Sequence, residues 1–330
     1  MKIGISFDLK PENIPSGLPE DIYEEFDSEM VINALKKTIE SFGHKVLLLG
    51  GGKDFVEKVL VERPDFVFNI AEGFGTRSRE GHVPSVCEML SIPYLGSDPL
   101  ALNITLDKEI CKRFAKSLGI RTPFFKVIKN KKEIKNFKFK YFPCVLKLKD
   151  EGSSIGLRLS SRVNSLSELK EKAEELFEKY NKPLLVEKFI GGKEITAGII
   201  GNEKIKFFGL MEIKPKKLKN SEFLYSLEVK RNFKEEVEYI VPPDIPERTK
   251  KEIKRYVLKL FKFLGLRDFS RFDFRLDENY DPYFLEINPL PGLNPETSDL
   301  SIMAYKMGFK YEEIIKDILE SAFERYGIKG

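Results

Sequence analysis

Apolar and polar positions along the first hundred residues alternate between a strand period and a helix period. Apolar residues at helical spacing follow Asp27 and Ser28, so a helix is predicted to begin at one of them and to end at Gly43. A second helix is predicted from about Asp54. Strands are predicted where apolar runs occur, at residues 2–7, 45–49 and 65–70. This alternation predicts a parallel sheet, whose ligands would lie at the carboxyl ends of its strands.

The rest of the chain is predicted to mix longer helices with a second set of strands. The predicted helices cover residues 106–118, 165–180, 247–264 and 311–326. The predicted strands cover residues 145–148, 157–159, 184–189, 194–200 and 204–213, with the last two continuing the sheet of 184–189, and a hairpin follows at 270–288. Residues 214–236 are rich in lysine and show no clear period, which predicts a mobile loop.

Composition narrows the class of protein. Of the 330 residues, 42% are hydrophobic and 33% are charged, which is typical of a globular protein and excludes a disordered chain or a small disulfide scaffold. A net charge of +4 spread over this length does not indicate a nucleic-acid binder. No long uncharged apolar window is present, so no membrane span is expected. The opening apolar run is too short for a signal peptide, and the three cysteines lack metal-ligand spacing, so we expect a cytoplasmic protein.

Two compositional details add expectations about chemistry and habitat. The chain has two histidines, which argues against a zinc site built from histidine. It contains no tryptophan and no glutamine, while lysine and glutamate are abundant. That bias resembles the composition of thermophile proteins, in which thermolabile amides are scarce and ion-pair networks are favoured.

The hairpin at 270–288 carries a pair of carboxylates that need an explanation. If its turn is centred on residues 279 and 280, Asp273 lies directly opposite Glu286, and two like charges in that position destabilise a sheet. A bound cation would remove the penalty, and together with Asn288 the pair would offer the oxygen ligands that suit Mg²⁺ or Mn²⁺. Alternatively, the carboxylates pair with Arg271 and Arg275 on a solvated face.

Three other segments carry features that suit a nucleotide. The segment 151–156 is rich in glycine and serine, so its backbone amides could close over phosphates, or it could be a plain hairpin turn. Lys147 interrupts an apolar strand and needs a partner, either a phosphate or a neighbouring carboxylate, and Lys108 begins a helical segment. The strand at 184–190 could offer backbone hydrogen bonds to an adenine, and Glu194 could then hold ribose hydroxyls.

Taken together and in this order, the motifs resemble those of the D-alanine–D-alanine ligase branch of the ATP-grasp enzymes. The resemblance covers the chain from about residue 65 to its end. The matching segments are residues 92–97, 106–108, 151–156, 186–190 and 285–292, the last paired with 271–273. The resemblance implies an α/β ATP-grasp fold of three α/β domains. These are an N-terminal parallel-sheet domain over 1–103, a central ATP-grasp subdomain over 104–190, and a C-terminal ATP-grasp subdomain over 191–330 with the metal and substrate site.

The resemblance also implies roles for individual residues in binding ATP. Lys108 and Lys147 are similar to the lysines that hold the nucleotide phosphates. The covering loop contains Ser153 and Ser154, of which Ser153 is also a catalytic candidate. The adenine hinge corresponds to Glu187, Lys188, Phe189 and Ile190, and the ribose ligand corresponds to Glu194.

For the reacting groups, the resemblance implies two Mg²⁺ (or Mn²⁺) ions held by Asp273, Glu286 and Asn288. Arg271 and the amide of Gly292 resemble the groups that stabilise the oxyanion at acyl transfer. Lys230 is similar to a lysine of a loop that closes over the γ-phosphate. The implied reaction is ATP-dependent carboxylate–amine ligation through an acylphosphate, with release of ADP and phosphate.

The sequence departs from the family pattern on the substrate side. A Glu72-Gly73 pair stands where the family has His-Gly, Arg231 stands where it has a tyrosine, and a longer, altered segment extends from Asp8 to Asp27. The segment of the second substrate ends in Thr297-Ser298 instead of Ser-Leu. Candidates for substrate recognition are therefore Glu72, Arg77, Arg79, Arg231, Thr297 and Ser298, although the charged loop at 72–80 could equally be a plain solvent-exposed loop.

The favoured hypothesis is a ligase that joins small-molecule amino acids or carboxylates, with a role in cell-wall peptidoglycan synthesis as one version. The alternatives are a ligase for a different acid or acceptor, and a nucleotide-binding protein without turnover. The family analogy suggests a homodimer. We expect neither a nucleic-acid nor a membrane partner.

Overall fold

A computed structural model describes residues 1–329 and contains three β-sheets. The first sheet is parallel, with strand order β2-β1-β3, and its strands are β1 (Lys2–Ser6), β2 (Lys45–Leu48) and β3 (Phe66–Asn69). Helices α1 (Glu29–Ser41) and α2 (Gly52–Glu62) connect the strands. The predicted parallel sheet is confirmed, and Gly43, at a φ of 88°, follows the end of α1 as the pattern indicated.

The segment after the first sheet contains helices that the sequence analysis did not predict. A short 3₁₀ helix over Arg79–Gly81 leads into α3 (His82–Met89), which is followed by α4 (Pro99–Leu106) and α5 (Lys108–Ser117). The prediction of one helix over 106–118 is wrong at its start, because Asp107 leaves the helical conformation with a ψ of 96°. Its carboxylate accepts a hydrogen bond from the Ile110 amide and thereby caps α5.

The second sheet is antiparallel, with strand order β4-β7-β5-β6, and helix α6 (Leu166–Tyr180) packs on it. Its strands are β4 (Phe125–Ile128), β5 (Cys144–Leu148), β6 (Arg162–Val163) and β7 (Leu184–Lys188). The strand predicted at 157–159 is wrong. Ser153, Ser154 and Gly156 have positive φ, so the chain turns back over the sheet, and the short strand β6 begins only at Arg162.

The third sheet is antiparallel, with strand order β10-β9-β8-β11-β12. Its strands are β8 (Glu194–Gly201), β9 (Ile205–Pro215), β10 (Val237–Ile240), β11 (Phe269–Leu276) and β12 (Pro282–Asn288). The prediction that residues 194–213 continue the sheet of β7 is wrong, because β8 pairs with β9 and β11 and the chain changes sheets at Gly191 and Gly192. At Gly192 a Cβ would lie 2.0 Å from the Leu276 carbonyl oxygen, so only glycine fits at this crossing.

The remaining helices flank the third sheet. They are α7 (Leu227–Arg231), α8 (Phe233–Glu236), α9 (Glu247–Phe263), α10 (Asp299–Lys306) and α11 (Tyr311–Tyr326). The loop predicted at 214–236 is therefore partly structured, since β9 extends to Pro215 and two short helices follow. Phe223, Leu227 and Val229 are buried, and this burial explains why the segment folds without a clear period.

The predicted pairing in the hairpin is confirmed at Asp273, but a β-bulge follows this position. Asp273 pairs with Glu286, as expected, but the register shifts by one residue beyond this pair, so Phe274 faces Phe284. The bulge interrupts the regular alternation of side chains between the two faces of β12. As a result Leu285 lines the same cavity as Glu286, while Phe284 and Ile287 are buried in the core.

One apolar core spans the first and third sheets. It includes Ile3 and Phe66 from the first sheet, Phe269 from β11, and Ile315 and Phe323 from α11. The second sheet has a separate core beneath α6. The domain boundaries proposed at 103/104 and 190/191 stay predictions.

A buried aspartate, Asp268, links segments that are distant in the sequence. Asp268 is fully buried, with a φ of 66°, and its carboxylate accepts hydrogen bonds from the Gly96 amide at 2.8 Å and from Asn202 at 2.9 Å. Arg325 at the end of α11 also donates to it, at 2.7 Å, and to the Tyr94 carbonyl at 2.9 Å. One carboxylate therefore fixes a loop after β3, the β8–β9 turn and the last helix.

We expect Asp268→Asn to lower the free energy of unfolding by about 3 kcal/mol, since it leaves the largely buried Arg325 charge without its partner. Asparagine tolerates the left-handed backbone, so the substitution removes the charge and one hydrogen-bond acceptor without straining the chain. The measurement is urea denaturation. Glu57→Gln, in an exposed pair with Lys53, is the control and should change the unfolding free energy by less than about 0.5 kcal/mol. Equal stability of the two variants would contradict this role of Asp268.

Candidate active site

Two adjoining cavities lie between the sheets. The first encloses about 840 Å³ including its open mouth, and residues of the second sheet, the third sheet and the segments 151–157 and 224–230 form its walls. The second encloses about 630 Å³ and lies between the first-sheet loops and the end of the hairpin. Lys108, Gly152, Arg271 and Glu286 line both cavities, so a ligand in one would lie close to a ligand in the other.

The first cavity brings together most of the side chains predicted to bind the nucleotide. From that predicted set, its walls contain Lys108, Lys147, Ser154, Glu187, Lys188, Phe189, Ile190 and Glu194. The predicted metal ligands Asp273 and Glu286 and the predicted catalytic residues Arg271 and Lys230 line it as well. Five separate stretches of chain, spread over more than 170 positions, therefore converge on one space.

A buried group of three charges forms one wall of the first cavity. Glu187 on β7 lies 2.7 Å from the Lys147 ammonium on β5 and 2.9 Å from the Lys112 ammonium on α5. Burial opposes the charge of Glu187, but the two ammonium groups lower its pKa to about 2. Glu187 is thus the carboxylate partner of Lys147. Because Glu187 is shared between two lysines, positive charge remains available to an anion.

Lys112 was missed by the sequence analysis. Its ammonium is buried, and it also donates to Thr122 at 3.3 Å. In the sequence it is one of many lysines in a polar helix, so no local signal separates it from a solvated residue.

The facing carboxylates of the hairpin lie in a field of positive charge. Burial would raise the pKa of Glu286, but the charges of Lys108, Lys147 and Arg271 lower it to about 2. Asp273 behaves differently, because its burial and the charge of Glu286 raise its pKa against the opposing charge of Arg271. Glu286 is therefore ionised at neutral pH, while Asp273 gains most from an additional cation.

The contacts of Asp273 include the ion pair with Arg271 that the alternative to a metal site predicts, and the metal role of Asp273 stays a prediction. Asp273 accepts hydrogen bonds from Thr196 at 2.9 Å, from Arg271 at 2.9 Å and from the Asn288 amide nitrogen at 3.1 Å. Arg271 also pairs with Asp299 at 3.1 Å. Asp273 is buried, whereas Arg271, Glu286 and Asn288 are partly exposed, and these bonds hold the side chains of Asp273 and Asn288 beside each other.

Arg275 acts as a structural anchor and is buried, which excludes the solvated-face alternative for this residue. Its guanidinium pairs with Glu194 at 2.9 Å and donates to the carbonyls of Ile190, Gly192, Asn220 and Phe223. It thereby joins the end of β7, the start of β8 and the 216–226 segment. These are the stretches that contain the predicted adenine hinge and ribose ligand.

The segment before α7 covers the first cavity. Leu224 and Tyr225 line it, the Ser154 hydroxyl donates to the Tyr225 carbonyl at 3.3 Å, and the Leu227 amide donates to Leu157 at 3.1 Å. Burial and the nearby charge of Arg271 lower the pKa of Lys230. The segment predicted to be mobile thus has defined contacts with the glycine- and serine-rich segment on the opposite wall.

An acidic insertion after β1 holds the 152–158 segment in place. Asp21 accepts a hydrogen bond from the Gly156 amide at 2.9 Å, and Glu25 accepts one from the Gly152 amide at 2.7 Å. Arg158 lies 3.0 Å from Asp21. The sequence showed this insertion as a departure from the family pattern, but only the fold reveals that its carboxylates reach a loop more than 120 positions away.

The second cavity contains the other predicted site groups. Its walls include Ser153, Asn288 and Gly292 from the predicted catalytic, nucleotide and metal residues, and Glu72 from the predicted substrate residues. Glu25 and Glu80 line it as well, and sequence reasoning did not single them out as site residues. Ser298 lies close to Gly292, where a Cβ would be 2.9 Å from the Ser298 hydroxyl oxygen.

The remaining substrate candidates lie outside the walls of both cavities. Arg77 is exposed and pairs with Asp107 at 3.2 Å, while Arg231 pairs with Glu24 at 2.8 Å. Arg79 is buried in ion pairs with Glu25 and Glu151. Thr297 is exposed, and the Ser298 hydroxyl accepts a hydrogen bond from the Asn294 amide. The solvent-exposed alternative for the 72–80 loop therefore holds for Arg77 but not for Arg79. The predicted roles of all these residues stay predictions.

The donor set of the hairpin fits a hard divalent cation. Asp273 and Glu286 supply carboxylates and Asn288 supplies an amide, a combination that suits Mg²⁺. Among residues 1–329 no cluster of three or more histidine, cysteine, aspartate or glutamate residues could hold a metal ion. Mg²⁺ commonly shares its coordination between a few protein ligands and a phosphate. Within the same residues, no helix is long and apolar enough to cross a bilayer.

The two antiparallel sheets enclosing a cationic cleft, with a parallel-sheet unit beside it, define the ATP-grasp fold. Solved structures support this assignment. D-alanine–D-alanine ligase from Bacillus anthracis, complexed with ATP, superposes with a TM-score of 0.73 at 22% identity, over 99% of each chain. The VanG D-Ala:D-Ser ligase from Enterococcus faecalis has a TM-score of 0.70 at 20% identity, over 97% of this chain and 99% of that one.

Sequence comparisons then identify the family. The family model described as D-ala D-ala ligase C-terminus matches residues 114–320. The D-alanine–D-alanine ligase of Aquifex aeolicus is 36% identical over 87% of this chain and 92% of its own length, and that of Thermotoga maritima is 33% identical over 89% and 92%. The chain therefore belongs to the D-alanine–D-alanine ligase family, whose members are ATP-dependent ligases that form a carbon–nitrogen bond.

We expect Asp21→Asn to loosen the 152–158 segment, because it weakens the bond to the Gly156 amide and leaves Arg158 with less compensation. Hydrogen exchange of the amides at 152–158 should become about 10-fold faster, measured by mass spectrometry. Glu20→Gln is the matched control. Glu20 also pairs with Arg158, but it is exposed, and its carboxylate accepts no hydrogen bond from the loop backbone. Equal exchange in both variants would show that the insertion does not hold the loop.

Proposed function

We propose that this protein is an ATP-dependent carboxylate–amine ligase that forms a peptide or amide bond through an acylphosphate. The observation that carries the proposal is the convergence of the predicted phosphate, metal and oxyanion groups on two cavities that share Lys108, Arg271 and Glu286. An acylphosphate formed in one cavity would be within reach of an amine held in the other. The curated relatives named above are D-alanine–D-alanine ligases, so D-alanine is the first candidate for both substrates.

In this proposal the first cavity binds ATP. The edge of β7 at Lys188, Phe189 and Ile190 holds the adenine, Glu187 lies beside it, and Glu194 holds the ribose. The phosphates lie against Lys108 and Lys147, with Ser153 and Ser154 in the loop above them. The support is electrostatic, because the same positive field that lowers the pKa of Glu286 to about 2 attracts a polyanion.

Asp273, Glu286 and Asn288 would hold one or two Mg²⁺ (or Mn²⁺) ions. When bound, Mg²⁺ would neutralise charge on the phosphates and on the transferring phosphoryl group. Arg271 is paired with Asp273 and Asp299, and in this proposal its guanidinium would face the reacting carboxyl group.

The ligation itself consists of two displacements. A substrate carboxylate oxygen attacks the γ-phosphorus of ATP and releases ADP, giving an acylphosphate. The amine then attacks the acyl carbon, and the carbon–oxygen bond to phosphate breaks. Arg271 and the Gly292 amide stabilise the oxyanion, and Lys230 stabilises the transferring phosphoryl group. The 216–226 segment and the 152–158 loop exclude water, which would otherwise hydrolyse the intermediate.

A nucleotide-binding protein without turnover is the less favoured alternative. Binding alone does not require two facing carboxylates beside an arginine and a backbone amide at the second cavity.

If the substrates are D-alanine, we propose that the protein is a soluble cytoplasmic enzyme of cell-wall peptidoglycan synthesis. The homodimer that the analogy with the family suggests also stays a prediction.

Phosphate release from ATP and Mg²⁺ across a panel of single D- and L-amino acids and mixed pairs tests the proposal, with product masses recorded. We expect ADP and phosphate to form together with a condensed product. A D-alanyl-D-alanine mass would show that the altered loops leave the substrates unchanged, and another condensed mass would identify a different pair. Nucleotide binding without phosphate release under any mixture would overturn the proposal.

We expect Glu286→Gln to lower kcat by about 100-fold or more, because several kcal/mol of charge stabilisation by the metal are lost. The Mg²⁺ concentration for half-maximal rate should rise as well. Glu278→Gln changes the same charge at the exposed tip of the same hairpin and should leave both quantities unchanged. Wild-type kinetics for Glu286→Gln would remove this residue from the metal site.

A further inference from the structure

Lys112 on α5 is a buried cation that the proposed reaction does not use. Only 1% of its surface is exposed. Its ammonium lies 2.9 Å from Glu187, and it donates to the Thr122 hydroxyl at 3.3 Å and to the Phe284 carbonyl at 3.4 Å. A buried ammonium needs such partners, because an isolated charge away from water is strongly destabilising. Each of its three N–H groups thus has a protein acceptor within reach, and none is left for a ligand.

Helix α5 carries Lys112 one turn after Lys108. Residues four positions apart lie on the same face of a helix, so both side chains point toward the space between the second and third sheets. Lys108 lines both cavities. Lys112 instead reaches Glu187 on the second sheet and the Phe284 carbonyl on the third. The helix therefore places one cation in the cavities and a second one behind their wall.

Glu187 has a second lysine beside it, and that one faces the cavity. In the pairing of β5 with β7, Lys147 lies opposite Leu185. Glu187 is two residues further along β7, so it and Lys147 are diagonal neighbours on one face of the sheet. Lys147 lines the first cavity and lies 2.7 Å from Glu187. Because Lys147 is proposed to hold the phosphates, ATP has to compete with Glu187 for it.

The charge of Glu187 makes this competition unfavourable unless another cation is present. Burial opposes that charge, yet the ammonium groups of Lys112 and Lys147 lower the pKa of Glu187 to about 2. The carboxylate is therefore ionised at neutral pH and needs a counterion when Lys147 moves to a phosphate. Lys112 is held in place by its two other acceptors, so it is the cation that stays with Glu187.

We infer that Lys112 is a positioning residue of the nucleotide site, which compensates Glu187 and thereby frees Lys147 for the phosphates of ATP. The inference rests on the ATP site of the proposed function, and it adds a residue that touches neither ATP nor the reacting groups. Without Lys112, the carboxylate would hold Lys147 as its remaining counterion. Phosphate binding would then have to break a buried ion pair and leave a charge uncompensated.

A double-mutant cycle tests the link between Lys112 and Glu187. Binding of ATP with Mg²⁺ is measured by calorimetry for the wild type, Lys112→Met, Glu187→Gln and the double variant. Lys112→Met should weaken ATP binding by about 10- to 100-fold, because the phosphates then compete with a buried charge. In the Glu187→Gln background the same substitution should change ATP affinity by less than about 2-fold. Lys116→Met, one turn further along α5 and exposed, is the control and should bind ATP as the wild type does.

Adenosine separates this role from a purely structural one. It lacks the phosphates, so Lys112→Met should leave its affinity within about 2-fold of the wild type. Equal losses of affinity for adenosine and ATP, or equal losses of ATP affinity in both backgrounds, would overturn the inference alone. Absence of ATP binding by the wild-type protein would overturn the proposed ATP site, and this inference with it.

A crystal structure with a bound nucleotide is a second measurement, which does not require any variant to fold. The wild type is crystallised with a non-hydrolysable ATP analogue and Mg²⁺. We expect Lys147 to lie against a phosphate, beyond hydrogen-bond distance of Glu187, while Lys112 stays paired with Glu187. A pair of Lys147 and Glu187 that persists beside the bound phosphates would overturn the inference.

Discussion

The like-charge contact between Asp273 and Glu286 is the constraint on which the candidate site depends. Two carboxylates directly opposite each other in a buried sheet are unfavourable, and the fold does not separate them. It surrounds them with Lys108, Lys147 and Arg271, each supplied by a different element. The cationic lining of the first cavity thus compensates the charge of this pair. A nucleotide with its metal ions would complement both, since its phosphates suit the cationic groups and its metal ions suit the carboxylates.

The same principle explains how the surrounding segments are held. The Arg275 guanidinium fixes the end of β7, the start of β8 and the 216–226 segment through carbonyl oxygens, while Asp21 and Glu25 fix the 152–158 loop through backbone amides. The segments over the cavity are therefore positioned by buried charges as well as by apolar packing. Such contacts are directional, so they define the walls of a site more sharply than a hydrophobic core does.

Much of the fold and part of the site could be predicted from the sequence. The periodicity of the apolar residues, together with the capping residues, located the parallel sheet, α6, α9 and α11. The pairing of Asp273 with Glu286 followed from the position of the turn. The break at Asp107, the change of sheet after β7 and the bulge at Leu285 were missed, because each is decided by tertiary contacts. Lys112 and Glu80 were missed for the same reason, since burial alone distinguishes them from the many other charged residues of this chain.

The central claim is that ATP activates a carboxylate as an acylphosphate between these cavities. The most direct measurement follows ¹⁸O from the carboxyl group of the acid that supports turnover into the inorganic phosphate released. The account predicts one labelled oxygen in each phosphate, because the attacking carboxylate oxygen stays with phosphorus when the amine displaces it. Release of unlabelled phosphate in step with product would contradict the account, since the carboxylate would then never have been phosphorylated.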